Sequence, residues 1–224
     1  MQTIGVIHTG PVTVEPLKRL FPEYLPQARI VNLVDDSLLS DVRRAGSLTP
    51  EVVQRYVQYA IVLDHMRCDA IFNACSSVGE AVAVAQSIVR APIVKVDQAM
   101  AERAIDLGER IAVVATVEST LNPTARLIEA VAAAAGKPVT VERQLCDTAF
   151  EYLLKGDAKT HDAIVMAGIE EAASHADVVV LAQVSMARLV EEVGIKFRVP
   201  VLTSPRLGVM RLAQILQSIE PVPA

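Results

Sequence analysis

Tryptophan is missing from this 224-residue chain, and aromatic residues make up only 4% of it. An interior with so few rings must be filled by Ala, Val, Leu and Ile, the composition of strands covered on both faces. A basic excess is missing too. The net charge is -5 and no Lys/Arg stripe is present to follow a phosphate backbone, which argues against a nucleic-acid partner. No apolar run reaches membrane-spanning length, so no membrane association is expected. The opening Met1-Gln2-Thr3-Ile4 has no basic region leading into a long apolar stretch, so no signal peptide is expected. The three cysteines, Cys68, Cys75 and Cys146, lack metal-type spacing and read as reduced thiols in a cytoplasm. GxGxxG, a Gly-rich phosphate loop and a His/carboxylate cluster are all absent, so neither cofactor nor metal is expected.

What is present is apolar. Hydrophobic residues make up 52% of the chain, enough for a sizeable core. Short β-branched runs read as strands at residues 3–8, 29–34, 70–74, 93–96, 110–115, 139–143, 178–182 and 201–203. Helical periodicity fills residues 51–66, 79–89, 124–135 and 163–175, and a last helix covers 206–218. Thr49-Pro50 is a start signal for the first of these, and Gly136 with Pro138 a stop for the third. Strand and helix alternating at this spacing predict an α/β protein built on parallel sheets.

The plan occurs twice. Thr3-Ile4-Gly5-Val6-Ile7-His8-Thr9 answers Arg110-Ile111-Ala112-Val113-Val114-Ala115-Thr116. Asp69 and Asp177 are 108 residues apart, as are Pro92 and Pro200, each pair in matching apolar surroundings. The expectation is two pseudo-symmetric lobes, residues 1–97 plus 205–224 and residues 98–204, each a parallel sheet flanked by helices. Ligands of such sheets bind beyond the carboxyl ends of the strands. Two facing lobes would put the active site between those ends, so the residues that follow each strand are the ones to inspect.

In the first half these are His8 and Thr9, then Asn73, Cys75, Ser76 and Ser77. In the second half they are Thr116, Ser119 and Thr120, then Gln183, Ser185 and Met186. Hydroxyls, amides, one imidazole and one thiol suit a small carboxylate-bearing substrate, because Ser and Thr hydroxyls and free backbone N–H groups donate to it. Cys75 lies between an apolar strand and a helix expected to begin near residues 77–79. Such a position favours a thiolate, which can act as nucleophile or as general base. The plain alternative is a buried cysteine that only packs. His8 could serve as acid, hydrogen-bond donor or strand-end cap, and Thr116, Ser119 and Thr120 as helix caps or carboxylate donors. Cys68, at the opposite sheet edge, reads as structural, and Cys146 has no polar cluster around it. His65, His161 and His175 read as surface residues.

The turns Ile7-His8-Thr9, Asn73-Ala74-Cys75-Ser76-Ser77, Ala115-Thr116-Val117-Glu118-Ser119 and Leu181-Ala182-Gln183-Val184-Ser185-Met186 occur in an order that resembles the aspartate/glutamate racemase family. That family includes hydantoin and allantoin racemases, maleate isomerase and arylmalonate decarboxylase. The resemblance implies two α/β lobes, an acid or amide substrate held between them, and no cofactor. In the racemases one cysteine from each half faces the substrate carbon. The first matches Cys75, and the second falls at Gln183, the position that the 108-residue offset also reaches. A carboxamide has no titratable proton near neutral pH, so Gln183 departs from the two-thiol pattern. The resemblance implies a cofactor-independent isomerase acting beside a carboxylate, with Cys75 as acid/base; the carboxamide of Gln183, where it departs from the family, can donate a hydrogen bond to a developing oxyanion. The alternatives are a single-cysteine decarboxylase of malonate-type acids and a non-catalytic small-molecule binding module. The apolar helices are also compatible with a homo-oligomer.

Overall fold

The computed structural model describes residues 1–191 and 197–218. The chain divides into two compact units, Met1–Val96 with Pro205–Ala224 and Asp97–Ser204. In the first unit, β1 (Thr3–His8), β2 (Arg29–Val34), β3 (Ala70–Asn73) and β4 (Ile93–Lys95) form a sheet in the order β2-β1-β3-β4. In the second, β5 (Arg110–Ala115), β6 (Thr140–Leu145), β7 (Val178–Leu181) and β8 (Val201–Thr203) form a sheet in the order β6-β5-β7-β8. All neighbouring strands are parallel. The central strands β3 and β7 are buried at every residue, as expected of strands that are apolar but for Asn73 at the end of β3.

The flanking helices of the first unit are α1 (Val14–Tyr24), α2 (Ser37–Ala45), α3 (Pro50–His65) and α4 (Ala81–Gln86). Those of the second are α5 (Gln98–Leu107), α6 (Glu118–Ala134), α7 (Ala149–Leu154), α8 (Ala158–Ala173) and α9 (Ala187–Glu191). The last, α10 (Ser204–Ser218), leaves β8 and packs with the first unit. There Arg206 bonds Glu23 and the Tyr24 hydroxyl, each at 2.7 Å. A Cβ on Gly208 would lie 2.6 Å from the Val96 carbonyl oxygen, so only glycine admits this approach.

The internal repeat reaches individual hydrogen bonds. Ala74 N–H donates to Ile7 O and Ala182 N–H to Val114 O. Ile71 N–H donates to Pro92 O and Val179 N–H to Pro200 O. The carboxylates Asp69 and Asp177 accept from the first backbone N–H groups of β1 and β5, at Thr3 and Arg110. Two stretches of chain with little identity therefore close the same ladder with the same atoms.

Several boundaries differ from the sequence expectation. β6 runs to Leu145, not 143, because its outward Glu142, Arg143 and Gln144 hide an edge strand from an apolar pattern. α6 begins at Glu118 and carries Pro123 inside it, so proline does not mark its start. α8 begins at Ala158, five residues before periodicity alone places it, with Asp157 accepting from Thr160 N–H at 3.1 Å. That earlier start corrects the expectation for His161. It shares the inner face of α8 with Val165, Gly168, Ile169 and Ala172, and is fully buried rather than a surface residue. Its Nδ1 meets Asp162, which Arg188 also holds. His175 is exposed as expected and pairs with Glu142.

Candidate active site

Because the strands of each sheet are parallel, all their carboxyl ends lie on one edge of that sheet. In the first unit this edge carries His8, Thr9, Asn73, Cys75, Ser76 and Ser77, all buried. After β3 the chain leaves the ladder at Ala74, and Cys75 is the extended cap residue (φ -146°, ψ 125°) of a single 3-10 turn, Ser76–Val78. The expected helix at 79–89 is therefore shorter. A 3-10 turn comes first and α4 then covers six residues. So short a helix has little macrodipole to stabilise a thiolate, which leaves the neighbouring side chains and turn N–H groups to do it.

Cys75 is 9% exposed. Asn73 holds the turn from below, its Nδ2 donating to the Cys75 carbonyl at 2.9 Å, while its Oδ1 has no partner among the described residues. α3 packs against this turn, and Tyr56 and Cys75 belong to one core cluster. The Tyr56 hydroxyl is fully buried and makes no hydrogen bond among the described residues. Burial first, and then the negative charge of a Cys75 thiolate, push the Tyr56 phenol well above its usual range. Sequence reading missed Tyr56. Its place on the inner face of α3 with Val52, Val57, Ala60 and Leu63 marks it only as core.

His8 is held on both ring nitrogens, Nδ1 by Thr13 Oγ1 at 2.7 Å and Nε2 by Asn32 Oδ1 at 2.9 Å. Burial lowers its pKa, so the ring is neutral and one of these bonds must be donated to it. The consistent arrangement has Nε2–H donating to Asn32 and the Thr13 hydroxyl donating to Nδ1. His8 thus braces the end of β1 and has no free nitrogen for proton transfer.

The second unit repeats the turn. Gln183 caps the 3-10 turn Val184–Met186 with nearly the same backbone angles as Cys75 (φ -133°, ψ 137°). Its Oε1 accepts two bonds from Thr116, one from the backbone N–H at 2.6 Å and one from the hydroxyl at 2.9 Å. The carbonyl end of the amide is therefore fixed, and the Nε2 end, with no partner among the described residues, keeps its two donor hydrogens. Ser119 and Ser185 are half-buried, on the first turn of α6 and two residues beyond Gln183. Thr120 turns its hydroxyl back to the Val117 carbonyl at 3.0 Å, a local helix-start bond. Met186, expected at the site, is wholly buried and belongs to the second unit's core cluster.

The remaining thiols are structural. Cys146 ends β6 with its sulfur against α8, 2.4 Å from where a Gly168 Cβ would stand, and burial pushes its pKa up to about 11. Cys68 is buried at the start of β3, and burial raises its thiol as well. Among the described residues no helix is long and apolar enough to cross a membrane, and no three His, Cys, Asp or Glu side chains are grouped to hold a metal ion.

A sequence model described as Asp/Glu/Hydantoin racemase matches residues 4–212, nearly the whole chain. The chain belongs to the Asp/Glu/Hydantoin racemase family. A comparison with curated proteins gave no match. Solved structures with the same fold include the Francisella tularensis glutamate racemase in complex with D-glutamate, at 15% identity and a TM-score of 0.74, covering 99% of this chain and 84% of that one. The Picrophilus torridus aspartate racemase is 13% identical with a TM-score of 0.74, covering 97% of this chain and 95% of that one. A glycine-to-cysteine mutant of arylmalonate decarboxylase, in a sulfate-associated form, is 20% identical with a TM-score of 0.58, covering 99% and 97%. Family and structural relatives are thus racemases, with a decarboxylase among them. Within this Asp/Glu/Hydantoin racemase fold, the 3-10 turn that follows each third strand carries a thiol in one unit and a carboxamide in the other.

Proposed function

We propose that this protein is a cofactor-independent isomerase that moves a proton at the carbon next to a carboxylate of a small acid. Cys75 is the acid/base. As a thiolate it takes the α-proton, and the C–H electron pair passes into the carboxyl group to give an enediolate. The resulting thiol can return the proton to the same carbon. Gln183 Nε2–H donates to the developing oxyanion, together with the hydroxyls of Ser76, Ser77 and Ser119 and the N–H groups of the 76–78 turn, while Thr116 holds the amide in place. Asn73 and His8 hold the turns in place, with Thr9 beside them. The observation that carries the reading is Cys75 itself, a nearly buried thiol closing a central strand among buried polar groups.

Inversion requires a proton on the opposite face. Gln183 has none to give, and His8 is bonded on both nitrogens, which leaves Ser185 or water. The same feature favours a second reading, one-sided chemistry. In a malonate-type acid the bond to one carboxylate breaks, CO2 leaves with its carbon, and the Cys75 thiol protonates the enediolate that remains.

The test is incubation in D2O with a panel of amino, hydroxy, ureido and malonate-type acids, followed by proton NMR and chiral chromatography. Deuterium entering an α-carbon with inversion, and lost in Cys75→Ala, is the expected result for an isomerase. Deuterated product with release of CO2 would instead establish the decarboxylase. Identical silence from wild type and Cys75→Ala across the panel would count against both and favour a binding module.

A further inference from the structure

A wholly buried phenol with no hydrogen bond is a standing cost to the fold, and phenylalanine would fill the same space without it. Tyr56 keeps its hydroxyl nonetheless, on the helix that packs against the Cys75 turn and in the same buried cluster as Cys75. Both side chains lie in one cluster whose other buried members are apolar, among them Leu38, Val42, Val78 and Ala81. Tyr56 therefore brings a donor into the apolar side of the Cys75 environment, opposite in character to the polar groups of the turn itself.

We infer that Tyr56 is a positioning residue for Cys75: its uncommitted O–H is the donor held in reserve for the thiolate. This rests on the reading of Cys75 as the acid/base. A hydrogen bond to the charged form favours that form, so the Tyr56 hydroxyl lowers the Cys75 pKa from the ordinary thiol value of about 8.5. The direction of the Tyr56 shift agrees. Burial and the thiolate's charge hold the phenol protonated, so it remains a donor throughout the working pH range.

Other ionisable groups around the turn are engaged elsewhere or stand apart. On α2, Leu38 and Val42 face the core while Arg43 and Arg44 are exposed and Asp41 pairs with Arg55. On α3, Tyr59 donates to Asp35, and His65 is exposed. On β1, His8 is bonded to Thr13 and Asn32. On β4, the Lys95 stem lies 3.8 Å from where a Gly79 Cβ would stand, and Glu80 follows that glycine. Lys95 therefore lies beside the turn, and its contribution is present in wild type and variant alike.

The test compares wild type with Tyr56→Phe, reading Cys75 ionisation from the thiolate ultraviolet absorbance and from the pH profile of iodoacetamide alkylation. A Cys75→Ala control in each background removes the signals of Cys68, Cys146 and the tyrosines. The expected result is a wild-type midpoint below about 8.5 that rises by roughly one pH unit or more in Tyr56→Phe, with thermal stability unchanged or raised. Thiolate content at neutral pH should then fall about tenfold, and so should any Cys75-dependent exchange, recovering as pH is raised. A low midpoint shared by both proteins would overturn the role of Tyr56 and leave Cys75 chemistry standing. A wild-type midpoint at or above the ordinary value would overturn both.

Discussion

Replacing Gln183 separates its bonds to Thr116 from the oxyanion-donor role proposed for it, because Thr116 fixes the amide oxygen and Nε2 has no partner among the described residues. Gln183→Leu strips two buried donors, the Thr116 N–H and hydroxyl, of their acceptor. Each unsatisfied donor costs about 1–3 kcal/mol, and the hydroxyl can partly recover by rotating, so the loss should be about 2–4 kcal/mol. For a chain of this length that corresponds to a fall in Tm of roughly 4–16 °C. Gln183→Glu keeps an oxygen where Oε1 stood and should retain most of that stability. Both variants lose the Nε2 donors, and removing one oxyanion donor typically lowers the rate by about 10²–10³. Thr116→Val removes only the 2.9 Å bond and leaves the 2.6 Å backbone bond in place. It should cost about 1 kcal/mol and less than roughly tenfold in rate. The assays are thermal unfolding by circular dichroism and α-deuteration in D2O. An unchanged Tm in Gln183→Leu would refute the pinning argument, and a wild-type exchange rate in Gln183→Glu would refute the donor role.

Two further outcomes follow from burial. Gly168→Ala forces a methyl to 2.4 Å from the Cys146 sulfur and should destabilise by about 1–3 kcal/mol in urea unfolding, with much of the loss recovered by adding Cys146→Ala; equal stability of Gly168→Ala and wild type would contradict the close packing of α8 on β6. His8 titrates near 6.5 when unfolded and lower when folded, so on acidification the unfolded chain takes up the proton first. The stability due to neutral His8 is complete above that value and is lost as pH falls through the window below it. Unfolding midpoints measured across that window should fall more steeply for wild type than for His8→Gln, and parallel slopes would refute the assignment.

The fold was legible because its signals are local and doubled. Unbroken apolar runs marked the central strands, and a constant offset between Asp69/Asp177 and Pro92/Pro200 predicted that the two halves share a plan, down to the cap positions of Cys75 and Gln183. Polar edge strands and short helices were less visible, as at β6 and α4, where packing rather than pattern sets the ends. The inner face of His161 would have been readable had Asp157-x-x-Thr160 been taken as a helix start. The Thr116–Gln183 bonds and the unpaired Tyr56 hydroxyl were not readable at all. Each depends on residues distant in the chain meeting in space, which composition and spacing do not encode.

The Thr116–Gln183 pair also governs how readily this chain could change its chemistry. A cysteine at 183 would offer the Thr116 N–H and hydroxyl only a weak sulfur acceptor, displaced from where Oε1 stands. Introducing a second thiol by one substitution is therefore uphill in stability before any gain in activity, and changing residue 116 as well would relieve only the hydroxyl, since the backbone N–H remains. The glutamine acts as a latch: its two bonds to Thr116 resist any replacement at 183 that cannot accept them.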